Sequence, residues 1–168
     1  LRADTSVVTL MTVNNEIGTV HPISELATAA HEVGALFHTD AVQAVGWLEL
    51  DVHSLGVDAL SISGHKFGAP KGCGVLFLKN RLEIEPLIHG GGQESGLRSG
   101  TENVAWAVAI ATALEQLHSI DEEVAEVTRI RDAFIAKVLQ TVPGAALTGS
   151  PIQRTANIAS FVFEGVSG

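Results

Sequence analysis

The sequence predicts an α/β fold, with a mostly parallel sheet flanked by helices and then the start of a smaller α/β unit. Three observations carry this. Segments alternate between the apolar period of helices and the continuous apolar runs of buried strands. Those runs read as strands covered on both faces, which is how parallel sheets occur. Their order, βαβ, then ββ, then αα, is the order of a layered α/β domain.

The elements follow in order. Val7 to Val13 (VVTLMTV) is an unbroken apolar strand. Pro22 opens the helix ISELATAAHEV, whose apolar residues recur at helical spacing and which Gly34 closes. Ala35 to His38 is a short strand ending at Thr39-Asp40, and AVQAVGWLELDVHSLGV is a short helix with a turn. Ala59 to Ser63 and Val75 to Leu78 are the next two strands. NRLEIEPLIHGGGQESGLRSG is a glycine-rich loop, long enough for function to be suspected. Thr101-Glu102-Asn103 caps the helix VAWAVAIATALEQL, and DEEVAEVTRIRDAFIAKVL is a second helix with its acids in the first turn. After Pro143-Gly144 come AALTG and the strand NIASFVF. The expected division is 1–120 as the larger unit and 121–168 as the beginning of the smaller one, with the boundary near 118 to 122.

Composition bounds the function. The chain has 168 residues, 46% of them hydrophobic, enough for one globular core and part of another. A formal net charge of -9 and a pI near 5.1 argue against nucleic-acid and anionic-membrane partners. No apolar stretch approaches the roughly 20 residues that span a bilayer. One cysteine excludes an intrachain disulfide framework and suits a reducing cytoplasm. LRADTSVVTL has neither an initiator Met nor the layout of a signal peptide, and ASFVFEGVSG stops just after a strand-like run. The expectation is an internal piece of a longer chain.

In open α/β sheets ligands gather beyond the carboxyl ends of the strands. Three such ends carry polar residues: Asn14-Asn15-Glu16, Thr39-Asp40 and Ser63-Gly64-His65-Lys66. If the strands are neighbours, an amide, a carboxylate and a lysine converge on one crevice. A pyridoxal phosphate cofactor needs that set: a lysine to form the imine, a carboxylate for the ring nitrogen, and hydroxyl, imidazole and backbone N–H donors for the phosphate. Each residue alone has a plainer reading. A strand-end Asp commonly caps a turn, a lysine in a Gly/Pro-rich bend is usually solvated, and Asn15 suits a left-handed turn. Together these plainer readings weaken, because three separate turns would have to set reactive groups at one edge by chance. His38, His65 and His89 show no i, i+4 pairing and no carboxylate cluster joins them, so no metal site is expected. Cys73 has no paired base in the sequence and reads as a structural thiol. The glycines at 90–92 do not link a strand directly to a helix and are no nucleotide fingerprint.

VNNEIGTVHPI, FHTDAVQAVGWLELD, SISGHKFGAPKGCGVLFL and HGGGQESGLRSGTENV, in that order and spacing, resemble the cysteine desulfurases of the iron–sulfur cluster assembly type. These are class V, fold type I pyridoxal phosphate enzymes. The likeness runs over about residues 5 to 118. GHK alone indicates only the superfamily, and the loop at 89 to 103 with VNNEIG narrows it to the desulfurases. The resemblance implies that Lys66 carries the cofactor covalently, Asp40 pairs with its ring nitrogen, and Gln43 hydrogen-bonds its ring hydroxyl. Ser63 and His65 bind the phosphate, and Asn15 lies near the ring hydroxyl and the substrate carboxylate. Thr101 reaches the phosphate of a neighbouring subunit, in a homodimer with shared sites. It further implies conversion of L-cysteine to alanine plus an enzyme persulfide, with sulfur passed to acceptors such as an iron–sulfur scaffold. In the family a phosphate-binding loop and a ring-stacking histidine precede the stretch seen here, and the catalytic cysteine and the carboxylate-binding arginine follow it. The 168 residues alone are therefore expected to be inactive. Two rivals are another class V enzyme, such as a selenocysteine lyase or an aminotransferase, and a non-catalytic truncated partner.

Overall fold

A computed structural model describes residues 1–80, 82–117 and 120–167. The elements are β1 (Val7–Met11), α1 (Ile23–Glu32), β2 (Leu36–Asp40), α2 (Val52–Leu55), β3 (Ala59–Ser63), β4 (Gly74–Leu78), α3 (Val104–Glu115), α4 (Ile120–Thr141), β5 (Ala145–Leu147) and β6 (Phe161–Phe163). The first four strands form one sheet in the order β1-β2-β3-β4. β1, β2 and β3 run parallel, in the register Met11 to Asp40 and Asp40 to Ser61, and β4 returns antiparallel to β3. The predicted mostly parallel sheet is thus present.

One face of the sheet forms the core. Phe37 and Thr39 are fully buried on it beside Leu60. Helix α1 covers it through Ile23, Ala27 and Ala30, spaced to lie on one helical face. Helix α3 adds Ile110 and Ala113 against Val45, Phe67 and Ala69. The sheet is thus flanked by helices, as the sequence predicted. Across the strands, residues i±1 point the other way, and there Val7, Leu36 and Leu76 are exposed. That second face is partly polar: His38 Nδ1 lies 2.7 Å from Thr9 Oγ1, and its Nε2 lies 3.1 Å from Ser61 Oγ.

Two predicted strands are shorter than the apolar runs that suggested them. After Met11 the Thr12 amide still donates to Asp40 O, at 2.8 Å, but Val13 turns to bridge Val20. The run from Asn157 enters a strand only at Phe161, where β6 pairs antiparallel with β5. Phe161 meets Phe134 of α4 edge to face, with ring centroids 5.8 Å apart. The segment from Ala41 to Val57, expected to hold a short helix, is turns up to Leu48, then α2, capped by Asp51 accepting from the His53 and Ser54 amides. Of the expected boundary at 118 to 122, residues 118 and 119 lie outside the described residues.

At the opposite edge of the sheet from the strand ends, Asp58 ties three elements together. It is 7% exposed. Its Oδ2 accepts from the Phe37 amide at 2.9 Å and lies 2.8 Å from His31 Nε2 on α1, and Lys79 Nζ is 3.5 Å from Oδ1. Burial pushes this carboxyl up, but the Phe37 amide, His31 and Lys79 together hold it below its ordinary value. A carboxyl lowered on folding stabilises the fold above its unfolded value, and that stability is lost as pH falls through the folded value. Asp58→Ala, which strands the buried Phe37 N–H, is expected to cost about 1–3 kcal/mol in urea unfolding at neutral pH. The gap between variant and parent should narrow as the pH is lowered into the acid range.

Candidate active site

Because β1, β2 and β3 are parallel neighbours, their carboxyl ends open on one edge. Asp40 is the last residue of β2, Asn15 follows β1 in the next turn, and Lys66 ends a short 3-10 turn, Gly64–Lys66, directly after β3. The topology therefore brings all three to the same edge, as the sequence predicted they would if the strands were neighbours.

Each side chain is set by its local chemistry. Asp40 is half-buried, and its Oδ1 accepts from the Val42 amide at 2.9 Å, which leaves Oδ2 without a protein partner among the described residues. Lys66 is exposed, and its Nζ has neither a hydrogen bond nor an ion pair among the described residues. Ser63 Oγ and His65 Nδ1 lie 2.9 Å apart, so the two predicted phosphate ligands already touch. Gln43 sits half-buried in the turn after β2. Asn15 is exposed, and Asn14 shapes its turn by accepting from the Glu16 and Ile17 amides at 2.9 and 3.0 Å. The backbone of Asn15 is not left-handed, so the turn does not require an asparagine there on conformational grounds. Thr101 is exposed before α3 and makes no hydrogen bond to another described residue, so the structure does not join it to the other six.

Gly64 shows why the bend reads Ser-Gly-His-Lys. A Cβ there would come 2.9 Å from both Ala69 Cβ and Cys73 Sγ, and 3.2 Å from Ile110 Cγ1. The Gly64 amide also donates to Cys73 O at 2.9 Å. Only glycine lets the chain pass between core and β4 and still turn Lys66 outward.

The same packing defines Cys73. Its thiol is half-buried, donates to Pro70 O at 2.8 Å and lies against the cluster of Val45, Phe67 and Ile110. It is seated inside the bend that carries Lys66, and among the described residues no base lies within hydrogen-bond reach. Cys73→Ala is expected to leave the sulfur chemistry proposed below unchanged, measured as alanine formed from cysteine. Loss of most turnover would make Cys73 a participant.

The donor set fits a pyridoxal phosphate group. An amine with no competing partner, a carboxylate with one free oxygen, and a hydroxyl beside an imidazole meet at one strand edge. Sequence reasoning weighed His38 only as a metal ligand and missed its bridge between Thr9 and Ser61, on the face that Asp40 shares. The signal was there, since residues 36, 38 and 40 of one strand point to one side. Among the described residues no cluster of three or more His, Cys, Asp or Glu side chains could hold a metal ion.

Residues 1–168 match the family model described as aminotransferase class-V. The chain is 46% identical to a protein named cysteine desulfurase IscS from Dictyoglomus turgidum, over all of this chain and 43% of that protein. It is 44% identical to cysteine desulfurase NifS of Azotobacter vinelandii, over all of this chain and 42% of that one. A solved structure titled NifS-like protein superposes with a TM-score of 0.87 at 36% identity, covering 97% of this chain and 45% of its own. The chain spans less than half the length of the curated relatives it matches.

Proposed function

The chain belongs to the class V aminotransferase family, and on that premise we propose that it forms the cofactor-binding part of a pyridoxal phosphate-dependent cysteine desulfurase. The observation that carries the proposal is the parallel order of β1, β2 and β3, which sets Asn15, Asp40 and Lys66 at one sheet edge. The desulfurase names of the relatives support the substrate, L-cysteine.

When bound, pyridoxal phosphate supplies a ring that withdraws electrons from the substrate carbon next to the amino group. Every other part falls to residues of the chain. Lys66 would hold the cofactor covalently through Nζ, and its amine, when free, would move protons as a general base and acid. Asp40 would face the ring nitrogen with the oxygen that Val42 leaves free, and would hold a proton there. Gln43 donates to the ring hydroxyl. Ser63 and His65 donate to the phosphate, with Thr101 serving the phosphate of a second copy in a homodimer. Asn15 orients the ring hydroxyl and the substrate carboxylate. The sulfur leaves to a thiol other than Cys73, and alanine remains. The persulfide so formed then donates sulfur to an acceptor such as an iron–sulfur scaffold. A single cysteine fits a cytoplasmic setting, and no helix among the described residues is long and apolar enough to cross a membrane.

The test is alanine production from cysteine by the protein that carries this chain, loaded with pyridoxal phosphate, against free cofactor as the background. Alanine well above background, with an equal yield of sulfide once a reductant is added, is expected. Turnover of an amino donor and a keto acid without sulfide release would instead make it an aminotransferase.

A further inference from the structure

Arg154 is 8% exposed, and among the described residues no carboxylate pairs with it. All its partners are backbone carbonyl oxygens. Nε donates to Ser150 O at 3.0 Å, Nη1 to Ile17 O at 2.7 Å and to Ile158 O at 3.2 Å, and Nη2 to Thr148 O. Three of those carbonyls belong to the segment around β5 and β6, whereas Ile17 belongs to the turn after β1. A buried guanidinium spent on carbonyls is costly unless the crossing it makes must be held in place.

The crossing is reinforced on both sides. The Val20 amide donates to Gln153 O and the Thr155 amide to Gly18 O, both at 2.9 Å, and the Ser150 amide donates to Thr19 Oγ1 at 3.0 Å. Gly18 has a φ of +71°, and a Cβ on it would meet Ile158 Cβ at 2.8 Å. The turn is therefore seated in a closely fitting cradle. Asn14 and Ile17, on either side of Asn15, are both fixed, one by its own side chain and the other by Arg154.

We propose that Arg154 is a positioning residue for the candidate site: from the connection between β5 and β6 it holds Ile17 O and so fixes where the turn presents Asn15 at the strand edge. This rests on the assignment of Asn15 above. It makes the placement of the C-terminal segment and the geometry of the strand edge interdependent, although among the described residues no C-terminal one hydrogen-bonds a side chain of the site.

The test uses the whole protein that carries this chain, as Arg154→Gln and Arg154→Lys, with amide hydrogen exchange and steady-state kinetics. Losing the contact to Ile17 O should speed exchange at Gly18, Val20 and Thr155 by about tenfold, since one lost hydrogen bond is worth about that factor. Exchange within β2 and β3 should stay as in the parent. KM for cysteine should rise by about the same factor while kcat and the absorbance of the bound cofactor change less. Lys keeps the charge and one arm, so it should show the same pattern at smaller amplitude, and it serves if the Gln variant does not fold. Native exchange in the turn, or exchange raised equally throughout the sheet, overturns the proposal. A loosened turn with unchanged KM overturns the link to the site. If Asn15→Ala is equally silent, the failure lies in the role given to Asn15 and not in the clamp.

Discussion

Replacing Lys66 by Ala is expected to abolish covalent retention of pyridoxal phosphate and to lower cysteine turnover, in the protein that carries this chain, by at least roughly 10²–10⁴-fold. The other lysines are placed differently: Lys71 lies further along the same β3–β4 connection, just before β4, Lys79 sits beside Asp58 at the opposite edge, and Lys137 lies on α4. The fold should be indifferent to the change. Lys66 is exposed and has no hydrogen-bond or ion-pair partner among the described residues, and surface changes of that kind usually stay within about 0.5 kcal/mol. Turnover and urea unfolding measured on the same preparation separate the two effects. A variant that unfolds would mean Lys66 holds the bend together, and one that keeps native turnover would remove it from the chemistry.

Asp40→Asn comes second in size. A carboxylate close to a cationic nitrogen shifts that group's proton affinity by about 1–3 pKa units, which corresponds to roughly 1.4–4 kcal/mol. Turnover should therefore fall by about 10- to 10³-fold. The asparagine oxygen can still accept from the Val42 amide, so the turn after β2 should persist. Circular dichroism should match the parent while the pH dependence of the bound cofactor's absorbance moves to lower pH. Near-native turnover would show that the charge of Asp40 is not directed at the cofactor.

Local pattern was enough for most of the sheet. Ala59 to Ser63 was bounded in the sequence by glycine and aspartate, and the structure gives β3 the same limits. Asn103, from the predicted capping triplet, does cap α3, accepting from the Trp106 amide at 3.3 Å. The convergence of three strand ends was legible as a conditional, and the strand order supplied the condition. What escaped was everything held by distant partners. Asp58 gains its meaning from Phe37, His31 and Lys79, each 21 or 27 positions away. Arg154 and Ile17 are separated by 137 positions, and no periodicity announces a guanidinium aimed at carbonyls. A strand end failed too: Val13 looks like strand, but its bridge to Val20 draws the backbone out of the ladder.

The most direct measurement of the central claim is the site of cofactor attachment. Pyridoxal phosphate is added to the chain, the adduct is fixed with borohydride, and the modified lysine is located by peptide mass spectrometry. The account predicts one labelled position, Lys66. Label spread evenly over Lys71, Lys79 and Lys137 would contradict it.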